Sequence, residues 1–362
     1  MQNKIYLNEG YFEKAEKLLI ESGEFSASTF IYSTGVKAVK IKNSKGEFIS
    51  LPYMGQMIWR AQFLGRELVM QTMFDEPIPA KINFHETYGC FLMHCGLTAM
   101  GNPTDIDTHL PHGELPIAKY QENYIITGED EKGKYIAIGG KYTHKICYTY
   151  NYEFSPLIKL YEGATSIDIE VEFTNKKDVP LEYYYLCHIN HKPVNGSKLV
   201  YTADRSKIVA HHEVPADYNK EIGDKTNAYL DMLDKDASIM DEVGGIDQSY
   251  APEIVFTCSY EADEDGNAYT MQVMPDEYAT YVIHKPSELP FGIRWISRTE
   301  DEDTMGMVLP ATAEHKGLAY CRQKGFQSYL KKGETVSYHM QTGLLTPKDS
   351  KIMQEKIKKM GF

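Results

Sequence analysis

Cysteine, tryptophan and clustered positive charge are all scarce in this chain, and each scarcity excludes something. Its six cysteines (Cys90, Cys95, Cys147, Cys187, Cys258 and Cys321) lie far apart and never form a CxxC pair. That spacing argues against a zinc ribbon or a disulfide frame. Apolar or aromatic neighbours, as in Ile146-Cys147-Tyr148 and Leu186-Cys187-His188, predict buried, reduced thiols in a cytoplasmic protein. The formal charge of -13 argues against nucleic acid and against an anionic membrane surface, since both need clustered Lys and Arg. A neutral small molecule suits this balance better than a polyanion. No run is long enough to span a bilayer, and Met1 to Glu9 holds no apolar signal core. Also missing are GxGxxG, a Walker loop, HExxH, GxSxG, heptads, a repeat of fixed period and a linker. A single domain over residues 1–362 is the expectation.

What the chain has is tyrosine and alternation. With 27 Tyr and 14 Phe against 2 Trp, the aromatic load suits half-exposed sheet faces. Phe12, Ala15, Leu18 and Leu19, with Gly23 as a stop, predict a helix over about 9–22. Beyond it the period falls to two. Strands are expected at 36–41, 48–51, 55–68, 88–97, 124–127, 135–138, 145–150, 166–173 and 181–190, and again at 253–258, 269–273, 278–284, 292–296, 325–330 and 335–344. Residues 203–250 read as a long polar, lid-like insertion. A closing helix over about 347–360 starts at Thr346-Pro347. Many short strands with frequent turn residues predict an all-β sandwich or barrel.

The stretch with the densest chemistry is Asp105-Ile-Asp-Thr-His109-Leu-Pro-His112-Gly-Glu114-Leu-Pro116. Proline and glycine keep it out of helix and interior strand. Its two imidazoles and carboxylates therefore belong on a shaped loop, where binding residues concentrate. The plain alternative is a solvated acidic turn.

Further segments share an order with this loop: Phe91-Leu-Met-His-Cys-Gly-Leu97, Tyr184-Tyr-Leu-Cys-His188-Ile-Asn190, Pro310-Ala-Thr312, Arg322-Gln-Lys-Gly325 and Leu330-Lys-Lys-Gly-Glu334. Each is weak alone. Their order over about residues 30 to 345 resembles the galactose mutarotase-like superfamily (aldose 1-epimerases), specifically its DUF4432-type branch. The resemblance implies a large antiparallel β-supersandwich with few short helices, which binds a free aldose and interconverts its anomers within carbohydrate metabolism. It implies no cofactor and no metal; a monomer or homodimer is expected.

Mutarotation removes the anomeric hydroxyl proton while the ring oxygen is protonated, so a base and an acid must flank that edge of the sugar. Histidine suits the acid role. By resemblance His188 matches the ring-oxygen acid and His112 the histidine that helps hold the same oxygen. Read alone, His188 is a core histidine on a tyrosine-rich strand, satisfied by a backbone carbonyl; the His112 loop and the ordered motifs favour the functional role. Many relatives carry a glutamate directly before the Pro-Ala-Thr stretch, where this chain has Leu309. Leucine cannot accept a proton, so Glu314, reaching back from four residues after Pro310, is taken as the catalytic carboxylate, with Glu114 a possible replacement. His109, Glu114, Asn190 and His191 are candidate pocket residues. Arg60, Arg294 and Arg322 are candidates for gripping hydroxyls, although any of them could instead pair with a carboxylate. Trp59 and Trp295 could stack on a sugar face or pack in the core. Two other functions fit: a non-catalytic sugar-binding protein, motivated by Leu309, and a metal-dependent sugar isomerase using His109, His112, Glu114 and His188.

Overall fold

A computed structural model describes residues 2–245 and 248–362; Met1 and the insertion residues Ile246 and Asp247 lie outside the described residues. Alternation becomes strand almost wherever the sequence carries it, and the strands form two antiparallel sheets of nine and thirteen. This is the galactose mutarotase-like sandwich that the resemblance implied.

The smaller sheet is built round Gly133–Ile146, Tyr150–Tyr161, Ser166–Asn175 and Thr335–Leu345, each hydrogen-bonded to the next. In the larger sheet Leu181–Ile189 lies between Leu92–Leu97 and Asp303–Ala311, which continues to Phe291–Arg298 and Ile254–Cys258. Successive strand residues face opposite sides of a sheet. Thus Tyr183, Tyr185 and Cys187 enter the core between the sheets with Phe154, Phe173 and Tyr338. Tyr184 and Leu186 point to the far face of the larger sheet, where Met57, Trp59, Met93, Leu309 and Cys321 make a second apolar layer. Trp59 is therefore core packing. Loops and a short helix cover that second layer, and the candidate site lies among them.

The expected helix over 9–22 is not formed. Glu9–Tyr11 is a single 3-10 turn capped by the Asn8 side chain, and Lys17–Ser22 is a strand paired with Phe25–Ile31. A register irregularity between Leu18 and Ile20 breaks the alternation, so Leu18 is exposed while Leu19 and Ile20 pack on the core. The bulge gave the apolar residues a false helical spacing. Gly23, read as a helix stop, turns the hairpin at φ 63.

The strand expected at 145–150 is also displaced: Ile146 ends one strand, Tyr150 begins the next, and Cys147 is exposed in the turn between them. The other five cysteines are buried free thiols, as expected.

Among the described residues there are three α-helices: α1 (Lys220–Leu233), α2 (Leu318–Lys324) and α3 (Pro347–Lys359). The last was expected, and Thr346 caps it. α1 lies inside the polar insertion, starting where the Asn219 side chain accepts the Ile222 N–H and burying Tyr229, Leu230 and Leu233. No described helix is long and apolar enough to cross a membrane.

Candidate functional site

His112 arrives on a loop whose path is fixed by backbone bonds. Its N–H donates to the Gly101 carbonyl and its own carbonyl accepts from Gly96 N–H, both at 2.9 Å. The residue is held at φ 57, a left-handed conformation that a residue with a side chain adopts only under constraint. Gly113 follows at φ 75, and a Cβ there would lie 2.5 Å from the carbonyl oxygens of Gly96 and Ala99. Only glycine fits that approach.

The Glu114 carboxylate locks the same loop. It accepts the N–H groups of Leu97 (3.1 Å) and Thr98 (3.2 Å) together with the Thr98 and Tyr152 hydroxyls.

His188 arrives from the strand Leu181–Ile189, paired with Met93 of Leu92–Leu97. It is 4% exposed. Its ring and that of His112 meet edge to face with centroids 5.4 Å apart, although the two residues are far apart in sequence.

Nδ1 of His188 lies 2.7 Å from Oδ1 of Asn190. The Asn190 amide is oriented from behind, since its Nδ2 donates to the Cys90 carbonyl at 3.0 Å and the Tyr88 hydroxyl donates to Oδ1 at 3.2 Å. Oδ1 can only accept, so the His188 hydrogen sits on Nδ1 and Nε2 carries the free lone pair. Burial lowers the His188 pKa to about 4, against the raising effect of the Asn190 bond, and holds His112 well below the ordinary histidine value, with the neighbouring imidazoles adding to the effect. Both rings rest neutral at pH 7.

Around them is a cavity of about 560 Å³ counted with its open mouth. Phe84, Tyr88, Leu186, Val255, Ile293 and Leu309 give it apolar walls, and Asn102, His85, His315, Glu253 and Trp295 complete the lining. Trp295 packs 5.3 Å from His188 and donates its indole N–H to the Glu253 carboxylate. Leu309, at the position that the resemblance gives to the base, does face the cavity. Glu253 is the lining carboxylate.

The other expected site residues lie elsewhere. Glu314 accepts the Tyr320 hydroxyl at 2.8 Å, outside the lining. His109 bonds the Leu110 carbonyl and accepts the Leu318 N–H, so both ring nitrogens are occupied. Glu114 is occupied as the loop clamp, and Asn190 stands behind His188. His191 is on the inter-sheet side, against Phe91 and 3.1 Å from the Thr342 hydroxyl.

The three arginines lie outside the cavity lining, each for a different reason. Arg60 donates to the carbonyls of Trp59 and Gly89 beside a separate depression. Arg294 points opposite to its neighbour Trp295, into the core, donating to the Met307 carbonyl and lying over Tyr201. Arg322 is paired with Glu182 on the surface. The four-ligand metal set is likewise not assembled, because His109 and Glu114 are turned into other bonds. Among the described residues, the donors close enough to share an ion are the exposed His212, Asp231 and Asp234.

Sequence reasoning passed over Glu253 as the first residue of a strand. The available signal was alternation: Glu253 shares a face with Val255, which is registered opposite Trp295.

Residues 33–344 match the family model "Domain of unknown function (DUF4432)". No curated protein sequence matches the chain. Among solved structures, a Klebsiella pneumoniae protein provisionally named an aldose 1-epimerase superposes with a TM-score of 0.82 at 17% identity, covering 99% of this chain and 96% of that one. A galactose mutarotase-like protein of Clostridium acetobutylicum gives 0.56 at 11% identity, covering 89% and 99%. One from Lactobacillus casei gives 0.53 at 10% identity, covering 85% and 100%. At these identities the likeness establishes the fold.

Proposed function

Because the chain belongs to the DUF4432 family and has the fold of mutarotase-like proteins, we propose that it is a cofactor-free aldose 1-epimerase in which Glu253 replaces the base missing at Leu309. The observation that supports this most is the meeting of His112 and His188 in one cavity that also holds the Glu253 carboxylate.

The reaction needs one proton shared between a carboxylate and an imidazole. In the reactive state Glu253 is ionised and His188 carries hydrogen on Nε2 as well as Nδ1. Glu253 takes the proton from the anomeric hydroxyl as the C1–O5 bond breaks, and Nε2 of His188 gives its proton to O5. The products are an open-chain aldehyde, a neutral carboxylic acid and a neutral imidazole. After rotation about C1–C2, O5 closes on the other carbonyl face, returning its proton to His188 while Glu253 reprotonates O1. His112 steadies O5 during the exchange, and the Asn190 amide keeps His188 in the required tautomer. The apolar walls exclude water, which strengthens these interactions.

Measuring anomer exchange of an aldose panel by NMR or polarimetry tests the reading. Acceleration over buffer that disappears in His188→Ala supports it. No acceleration for any aldose contradicts it.

One second reading has an observation behind it. Burial holds His188 at about 4, so little imidazolium is present at neutral pH, and Leu309 occupies the usual base position. A sugar-binding protein without turnover would then show sugar-dependent thermal stabilisation with unchanged anomer exchange.

A further inference from the structure

His315 lines the same cavity but has no part in the proton transfers. Its Nε2 is 3.1 Å from one oxygen of Glu213, whose other oxygen takes the Lys316 ammonium at 2.9 Å. Glu213 lies in the insertion, directly after the edge strand Val209–His211 and the exposed His212. Burial would push its carboxyl up, yet the bonds and charges of His315 and Lys316 hold it at about 2, so it is an anion that only accepts. Nε2 therefore carries a hydrogen, donated to Glu213, and Nδ1 is the ring nitrogen left over.

Two further contacts fix the ring. The His211 ring packs 5.2 Å away, itself bonded through Nε2 to the Thr257 hydroxyl at 2.7 Å. The His315 carbonyl accepts the Asn102 N–H at 3.2 Å, and a Cβ on Gly101 would lie 1.6 Å from that carbonyl oxygen. Gly101 is the residue whose carbonyl anchors His112, so His112 and His315 hang from one backbone junction. Held this firmly, Nδ1 of His315 is nevertheless buried with no protein partner. A buried polar atom without a partner calls for an explanation in the native structure.

We propose that His315, held by Glu213 as a positioning residue, binds a neutral sugar hydroxyl through Nδ1 and thereby makes the Glu213 segment of the insertion part of the substrate site. A hydroxyl both donates and accepts, so it can satisfy Nδ1 in either protonation state, whereas an anionic group needs a hydrogen there. The assignment rests on the sugar-site reading above and extends it by one specificity contact.

The experiment measures binding of D-glucose, D-galactose, D-xylose and D-ribose, and of the monodeoxy analogues of whichever binds best, by saturation-transfer NMR. It uses the full chain in wild-type and His188→Ala backgrounds, the second separating binding from turnover. His315→Ala and Glu213→Ala are expected to weaken the best aldose about 5- to 50-fold, the size of one hydrogen bond to a buried group. KM should rise similarly in the wild-type background, with kcat within about threefold. Glu213→Gln retains an acceptor for Nε2–H and should recover most of the affinity, as should the size-matched His315→Gln if the alanine variant fails to fold. For one deoxy analogue the His315→Ala penalty should vanish.

Unchanged binding in both alanine variants, or an equal penalty for every analogue, overturns the assignment of His315 alone. Failure of every sugar to bind the wild type overturns the sugar-site reading and this assignment with it.

Discussion

His188 donates from Nδ1 to Oδ1 of Asn190 at 2.7 Å, and Asn190 is in turn fixed by the Cys90 carbonyl. This relay determines which imidazole nitrogen is free for chemistry. Replacing Asn190 with Ala frees the ring to rotate and change tautomer. Turnover is expected to fall about 10- to 100-fold, a part of the 10²–10⁴ that a well-placed acid contributes, with KM little changed. Stability should fall by about 1–3 kcal/mol, because Asn190 is buried and its partners lose their bonds. Steady-state kinetics with urea unfolding checks both, and an unaltered kcat would separate Asn190 from the chemistry.

Glu253→Gln removes the acceptor for the anomeric proton while leaving an amide oxygen for the Trp295 indole. The expected result is a loss of about 10²–10⁴ in kcat/KM with a melting temperature close to wild type. Polarimetry on the best aldose decides it. Activity within a factor of three of wild type would mean that another group takes the proton.

Glu114 illustrates the opposite case, an acid in the densest motif that works as a clamp. Glu114→Ala leaves the Thr98 and Tyr152 hydroxyls and two backbone N–H groups without their acceptor. A destabilisation of about 2–4 kcal/mol is expected, since bonds to a charged group exceed neutral ones and the buried donors are left unpaired. Chemical denaturation measures it. A loss below 0.5 kcal/mol would show that the loop holds its shape without the carboxylate.

How much of this was legible in the sequence depends on the element. Strands such as Ser166–Asn175 announce themselves because one face is buried, and alternation then has no competitor. Lys17–Ser22 did not, because the bulge at Leu18–Ile20 disguised its period. α1 was hidden in polar sequence that only packing makes helical. His112 and His188 stood out because their motifs share an order with a known family, and the fold brings their rings together. Glu253 could not, because one carboxylate at a strand start resembles any other until the register opposite Trp295 is known. Arg294 shows the reverse error. Adjacent to Trp295 in sequence, it faces the other side of the sheet.

Stability should be sensitive to mild acid. Burial drives His94, His191 and His284 down to about 3 and His188 to about 4. Their folded values lie below the unfolded one of about 6.5, so the unfolded chain binds protons first as pH falls. The stabilisation is complete above about pH 6.5 and is lost progressively down to pH 3–4, on the order of 2 kcal/mol per histidine by pH 5. Glu302, pushed up to about 7 by burial and by Asp301, runs the other way, but it is one partly exposed group against four buried ones. Urea midpoints at pH 7 and pH 5 test this: a clear drop is expected, smaller in His94→Gln, and equal midpoints would contradict it.

The most direct test of the central claim is two-dimensional exchange NMR of aldose anomers with wild-type protein and His188→Ala side by side. The account predicts cross-peaks between the anomers of at least one aldose, growing with wild-type concentration and returning to the buffer rate in the variant. Cross-peaks of equal intensity in both proteins, or none above buffer across the panel, would contradict it.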